Sequence, residues 1–262
     1  MKRRIFFVIA FFSFFFSVNA NAKLVTETVE YKHGDLALEG YIAYDDALKG
    51  RRPGVIVVHE WMGLNPYAKK RAEQLAALGY VGFAIDMYGK GVRAKDAKEA
   101  AALSGAYRND RKLMRGRAGT ALDFFRKYPR VDDKMIGAIG YCFGGTVVLE
   151  MARGGADLVG VVSFHGGLDT PNPADAKNIK GKVLALHGAD DPFVPKDQVL
   201  AFWDEMRKAG VDWQMAAYGG AVHSFTNPDS GNDPSKGAAY NEKADKRSWE
   251  AMSLFLEEVF EE

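Results

Sequence analysis

The chain reads as an α/β protein with a mostly parallel central sheet, helices on both faces and an N-terminal hairpin. Three observations predict it. The runs "VIVVHE", "KMIGAIGY" and "KVLALHG" are nearly continuous in apolar and small residues, the pattern of strands buried on both faces. Helical stretches stand between such runs, the alternation expected of parallel strands joined by crossovers. Ahead of them, "TETVEYKHGDLALEGYIAYDD" alternates polar and apolar residues on either side of "HGD".

That first segment predicts strands over Val25 to Tyr31 and Leu36 to Tyr44, joined as a hairpin. "RRPG" breaks the chain before the strand "VIVVHE". In "NPYAKKRAEQLAALGY", Asn65 is placed to cap a helix, Pro66 suits its first turn and Gly79 closes it. The strand "VGFAIDMYG" follows, then two helical stretches that end at Pro129. "KMIGAIGY" predicts a strand, "GGTVVLEMARG" a helix and "DLVGVVSFHGG" another strand. After a Pro/Asn-rich loop come the strand "KVLALHG", the helix "KDQVLAFWDEMRKAG" and the strand "VDWQMAAYGG". A last helix is expected near "GAAYNEKADKRSWEAMSLFLEEVFEE". The connection "GGAVHSFTNPDSGNDPSKG" is too polar and too rich in Gly and Pro for a core, and is expected to wrap the surface near a site.

The N-terminus carries a separate signal. "MKRRIFFVIAFFSFFFSVNANAK" has a basic start, an apolar run from Ile5 to Val18 and a small-x-small cleavage pattern at Ala20-Asn21-Ala22. Ser13 and Ser17 interrupt the run, which is shorter than the roughly 20 residues of a membrane span. The expectation is a signal peptide over 1–22, a single domain over 23–262, and export to the periplasm or medium with no membrane attachment after cleavage. The general secretory route is the simpler reading beside a partial twin-arginine resemblance at Arg3-Arg4.

The whole chain of 262 residues has a formal charge of +1; without Lys2, Arg3 and Arg4, 32 basic residues face 34 acidic ones. Near-neutral charge with no Lys/Arg-rich run gives nucleic acid no electrostatic footprint. Metal and cofactor readings fare poorly, and neither is expected. "HE" at 59–60 lacks the H-E-x-x-H spacing, a single cysteine offers no paired thiolates, and "GYCFGG" is not G-x-G-x-x-G. One cysteine in an exported chain is itself informative, because an exposed thiol in an oxidising compartment is a liability unless it performs chemistry.

Cys142 falls between a predicted strand and a predicted helix, within Gly140-Tyr141-Cys142-Phe143-Gly144. This is the G-x-S-x-G nucleophile elbow with sulfur in place of the hydroxyl. The sharp turn strains the nucleophile's backbone, and small residues two positions away let strand and helix approach. It leaves the Phe143 amide at a helix N-terminus, where it can face a developing oxyanion and favour thiolate. A base and an orienting carboxylate are then required. His59, His165 and His187 each lie near a strand end, and His33 sits in the hairpin turn. In the chain order of this elbow, however, the histidine comes last, after an acid, which selects His223. The acid follows "KVLALHG", where Asp191 is preferred over Asp190 because Pro192 fixes the chain after it. Glu60 ends a buried-looking strand at the edge where the site is expected. It is read either as a group that controls the Cys142 thiol or as a salt-bridged scaffold residue. The turn after it offers the Trp61 amide as a second oxyanion donor.

"VIVVHEWMGLN", "DMYGKG", "GYCFGG", "HGADDPFVP" and "AVHSF", in that order over roughly residues 27 to 260, resemble the dienelactone hydrolase family of α/β-hydrolases. The resemblance implies an α/β-hydrolase fold, Cys142 as nucleophile, Asp191 as orienting acid and His223 as base. It also implies that Glu60 engages the resting thiol and that the amides of Trp61 and Phe143 form the oxyanion hole. Family members that hydrolyse dienelactone hold its carboxylate with two arginines. Here "DMYGKG" has Gly89 and Lys90 and "HSFTN" has Asn227 at the matching places, leaving Lys90 or Arg93 as substitutes. The expected activity is cofactor-free hydrolysis of small carboxylic esters or lactones through an acyl-enzyme. Tyr88, Lys90 and Phe225 are the candidate pocket residues, and a monomer or weak homo-oligomer is expected. Alternatives are a thioesterase or peptidase with the same triad, and a periplasmic binding module that captures ligand without turnover.

Overall fold

The structure is a computed structural model and describes residues 23–261. The predicted signal peptide over 1–22 lies outside the described residues.

Among the described residues, eight strands form one sheet: β1 (Leu24–His33), β2 (Leu36–Asp45), β3 (Arg52–Val58), β4 (Val81–Ile85), β5 (Val131–Tyr141), β6 (Gly160–Phe164), β7 (Lys182–Gly188) and β8 (Trp213–Tyr218). Their order across the sheet is β1-β2-β4-β3-β5-β6-β7-β8. The β1–β2 hairpin joins antiparallel to β4, and β3 to β8 run parallel. Among the described residues, six α-helices connect or flank the strands: α1 (Pro66–Ala77), α2 (Ala97–Asn109), α3 (Arg111–Phe125), α4 (Phe143–Arg153), α5 (Lys196–Ala209) and α6 (Glu242–Glu261). This is the α/β-hydrolase architecture expected from the sequence. Among the described residues, no helix is long and apolar enough to cross a membrane.

Local chemistry sets most boundaries. Asn65 caps α1 by accepting the Ala68 amide, while Asp96 and Asp110 cap α2 and α3 in the same way. The sheet alternates its side chains between two cores. Val55 and Val57 of β3 pack with Ala68, Ala72 and Leu75 of α1 and with Met252 and Leu256 of α6. Ile56 and Val58 belong to the opposite core, with Ala118 and Phe125 of α3, Val147 of α4 and Phe202 of α5.

One boundary departs from expectation. The last helix begins at Glu242, although the stretch assigned to it starts near Gly237. The intervening backbone is used elsewhere: Gly237 accepts the His223 amide at 3.1 Å, and the Ala239 amide donates to His223 at 3.0 Å. The residues before α6 thus bracket the loop that carries the candidate base.

Register brings the site together. Val58 pairs with Gly140 and Tyr141 pairs with Phe164, so β3, β5 and β6 end side by side. The turns after them carry Glu60, Cys142 and His165 to the same edge of the sheet, the edge where open α/β sheets bind ligands.

Candidate active site

Cys142 occupies the turn between β5 and α4 at φ 55° and ψ −115°, a conformation that side-chain-bearing residues rarely adopt. The glycines around it show why the motif needs small residues. A Cβ on Gly140 would lie 2.0 Å from the Gly144 carbonyl oxygen, and one on Gly144 would lie 2.2 Å from that of Val58. Only without those atoms can α4 start directly over the ends of β3 and β5.

The triad predicted from the sequence assembles across three loops. His223 Nε2 lies 3.1 Å from Cys142 Sγ, and His223 Nδ1 lies 2.8 Å from Asp191 Oδ2. Asp191 is buried, and its second oxygen accepts the Phe193 amide at 2.8 Å. Asp190 takes no part: its carboxylate accepts the Gly220 amide at 2.9 Å and closes the turn. Burial disfavours a charged His223 imidazole, but charge on Cys142 and the bond to Asp191 outweigh it and raise its pKa to about 10. The arrangement supports nucleophilic attack by sulfur with proton transfer through His223, an acyl-enzyme mechanism.

Two histidines left open by the sequence have defined places. His59 accepts the Met87 amide on Nε2 at 3.2 Å, which leaves the proton on Nδ1 to donate to the Glu60 carbonyl at 2.5 Å. Burial lowers its pKa to about 4, so the ring is neutral at physiological pH. That bond fixes the peptide between Glu60 and Trp61, and in a trans peptide the Trp61 N–H points opposite the carbonyl. Tyr88 steadies the other side of the turn, with its hydroxyl donating to the Trp61 carbonyl at 2.9 Å. Phe143 is the first residue of α4, so its amide has no intrahelical acceptor.

His165 follows β6. Its Nδ1 accepts the Cys142 amide at 3.1 Å and its Nε2 lies 2.7 Å from Thr226 Oγ1. Burial and the charge of His223 hold its pKa well below the usual value, as an acceptor Nδ1 requires. Thr226 Oγ1 is 2.6 Å from the Tyr67 hydroxyl, and Arg71 donates to the Thr226 carbonyl at 2.9 Å while paired with Asp245 at 2.6 Å. A chain of polar contacts thus runs from the nucleophile's backbone to α6. The available signal for both histidines was their position just after strands, at the catalytic edge.

Glu60 is buried, and its two oxygens accept Ser224 Oγ at 3.3 Å and Asn227 Nδ2 at 2.6 Å. Among the described residues it forms neither an ion pair nor a hydrogen bond to the Cys142 sulfur, which is engaged by His223. Burial raises its pKa, opposed by the Asn227 bond and the charge of His223.

Two pocket candidates lie elsewhere. Lys90 is exposed and its ammonium pairs with Glu30 of β1; Gly89 and Gly91, at φ 134° and 78°, swing the turn toward the hairpin. Arg93 likewise faces Glu39, at 3.9 Å. Phe225 is fully buried between His165 and Tyr218, with ring centroids 5.1 and 5.5 Å away, so it supports the site from beneath. Tyr88 remains beside the site, packed on His59 and Phe143.

Known proteins give an independent measure. The profile of the dienelactone hydrolase family matches residues 38–260. The crystal structure of a dienelactone hydrolase-like promiscuous phosphotriesterase from metagenomic libraries is 42% identical and superposes with a TM-score of 0.87. That match covers 92% of this chain and 100% of the other. Protein usf of Aquifex pyrophilus is 32% identical over 206 residues, 77% of this chain and 87% of its own length. A dienelactone hydrolase from Anabaena variabilis, at 20% identity and a TM-score of 0.63, shares the fold over 86% of this chain and 95% of its own. With a family match spanning nearly all the described residues and a cysteine–histidine–aspartate triad in place, the chain belongs to the dienelactone hydrolase family.

Proposed function

We propose that this hydrolase acts on small esters or lactones that are uncharged near the scissile carbonyl. Asn227 carries the reading. Where, by the family resemblance, dienelactone-cleaving members hold a carboxylate with arginine, this chain has a neutral amide, and that amide is spent on Glu60. The buried carboxyl group of Glu60, close enough to interact electrostatically with His223, disfavours an anionic substrate further, and Lys90 and Arg93 are engaged with acidic residues of the hairpin.

In this mechanism Cys142 sulfur attacks the carbonyl carbon, and the C=O electrons move to oxygen between the Trp61 and Phe143 amides. Collapse breaks the bond to the leaving oxygen, which takes the proton from His223 Nε2. Water then attacks the thioester, gives a proton back to Nε2, and the carbon–sulfur bond breaks to release acid. Asp191 holds the imidazole tautomer throughout. The test is a pair of esters differing by one terminal carboxylate. The neutral ester is expected to have at least a roughly tenfold higher kcat/KM, and preference for the carboxylate would contradict the reading.

A second reading rests on the 42% identical relative described as a promiscuous phosphotriesterase: uncharged phosphotriesters present the same demand for a neutral site. Steady release of phenol from a dialkyl aryl phosphate, absent in Cys142→Ala, would support it. Export with loss of residues 1–22, leaving one domain that is a monomer or weak homo-oligomer, is the companion proposal. The N-terminal sequence and the light-scattering mass of protein recovered from a periplasmic fraction test it.

A further inference from the structure

Two rings pack against His223 in very different surroundings. The His165 ring lies 5.3 Å away and is almost fully buried. The Phe193 ring lies at the same 5.3 Å, at right angles to the imidazole, and is 60% exposed. The leaving oxygen must reach Nε2 to collect its proton. The alcohol attached to it cannot extend toward His165, which is packed against Phe225 and Tyr141. It can extend toward solvent, and Phe193 is the largely exposed ring in contact with His223.

Phe193 is also held in position. Its amide donates to Asp191 Oδ1, so the triad's own acid anchors the residue. Gly237, at φ 79°, lies close to the ring: a Cβ there would come within 3.4 Å of Phe193 Cζ and 2.9 Å of Pro192 Cγ. An apolar, largely exposed ring against the imidazole that protonates the leaving oxygen offers surface to the group attached to that oxygen. We infer that Phe193 selects the alcohol portion of the substrate and that this portion is apolar, with an aromatic ring favoured.

The inference rests on the ester-hydrolase reading and extends it to the leaving group. It is tested with two ester pairs and the variants Phe193→Ala and Phe193→Leu. Benzyl acetate and 2-methoxyethyl acetate share an acyl group and differ in the alcohol; methyl phenylacetate and methyl acetate share an alcohol and differ in the acyl group. The parent should favour benzyl acetate over its partner. Phe193→Ala should cut that preference about three- to tenfold, the factor of one aromatic contact, while the acyl-side preference moves by less than about twofold. Phe193→Leu should keep an intermediate preference, since it restores apolar surface without the ring. Hydrolysis of the acetyl-enzyme, from which the alcohol has gone, should not follow the loss in acylation. An unaltered alcohol preference in Phe193→Ala overturns the inference, as do equal losses in both pairs or a parallel fall in deacylation. Failure of the parent to hydrolyse any of the four esters overturns the ester-hydrolase reading along with it, a result distinct from the others.

Discussion

His59 donates its Nδ1 proton to the carbonyl of Glu60, one residue away, at 2.5 Å. The bond is made by a fully buried ring whose other nitrogen is occupied by Met87, so the peptide that presents the Trp61 amide has little freedom to rotate. Replacing His59 with Phe keeps a planar ring and removes the bond. With the Trp61 amide as the proposed oxyanion donor, whose complete loss would cost about 10²–10³ in kcat, loosening it should cost roughly 10- to 100-fold, with KM little altered. Steady-state kinetics with a neutral ester check this, and an unaltered kcat in a folded His59→Phe variant would dissociate that peptide from catalysis.

Asp191 and Asp190 are adjacent but face different partners, His223 and the Gly220 amide. Asp191→Asn should lower turnover by roughly three to four orders of magnitude through a mis-set imidazole tautomer. Asp190→Asn should lower the melting temperature by a few degrees at most and leave a rate within about threefold of the parent, since it weakens one turn bond. Kinetics of the two variants side by side decide between them.

Glu60 yields a prediction in pH. Its carboxyl pKa is raised in the folded state, chiefly by burial, so the folded protein holds that proton more tightly than the unfolded chain. The associated stability is fully present below the unfolded value, near pH 4.3, and is lost as pH rises through the folded one. Glu60→Gln removes the ionisation. Its melting temperature should equal or exceed the parent's at pH 7, and the gap should close toward pH 4. In the proposal that Glu60 also governs the Cys142 thiol, the variant turns over more slowly and shows an altered pH profile of iodoacetamide labelling. Labelling rates that match the parent from about pH 5 to 9 would limit Glu60 to its bonds with Ser224 and Asn227.

Much of this site was legible because its logic is local or ordered along the chain. The elbow around Cys142 is a strand, a turn and a helix within one short segment, and Gly140 and Gly144 have no room for another side chain. Asp191 and His223 followed from chain order. The less legible residues depend on distant partners. Lys90 reads as a pocket cation in the sequence, but the β1–β2 hairpin supplies Glu30, 60 positions earlier, as its partner. Phe225 and Phe193 are both aromatic residues near the catalytic loops, yet only packing decides that one is buried and the other largely exposed. His165 acts through Thr226, 61 residues away, by a hydrogen bond that no local periodicity encodes. The start of α6 moved for the same reason, because residues 237–239 bond to His223 rather than to a helix.

The central claim is that substrate turnover passes through a thioester on Cys142. Intact-mass spectrometry of enzyme quenched within seconds of mixing with a slowly deacylating aryl ester tests it most directly. The parent is predicted to gain the mass of one acyl group, mapped by fragmentation to Cys142 and lost over time as acid appears. Cys142→Ala is predicted to show neither the adduct nor turnover, because among the described residues no other nucleophile lies against His223 Nε2. An adduct on a different residue, or turnover by the Ala variant near the parent's rate, would contradict the account.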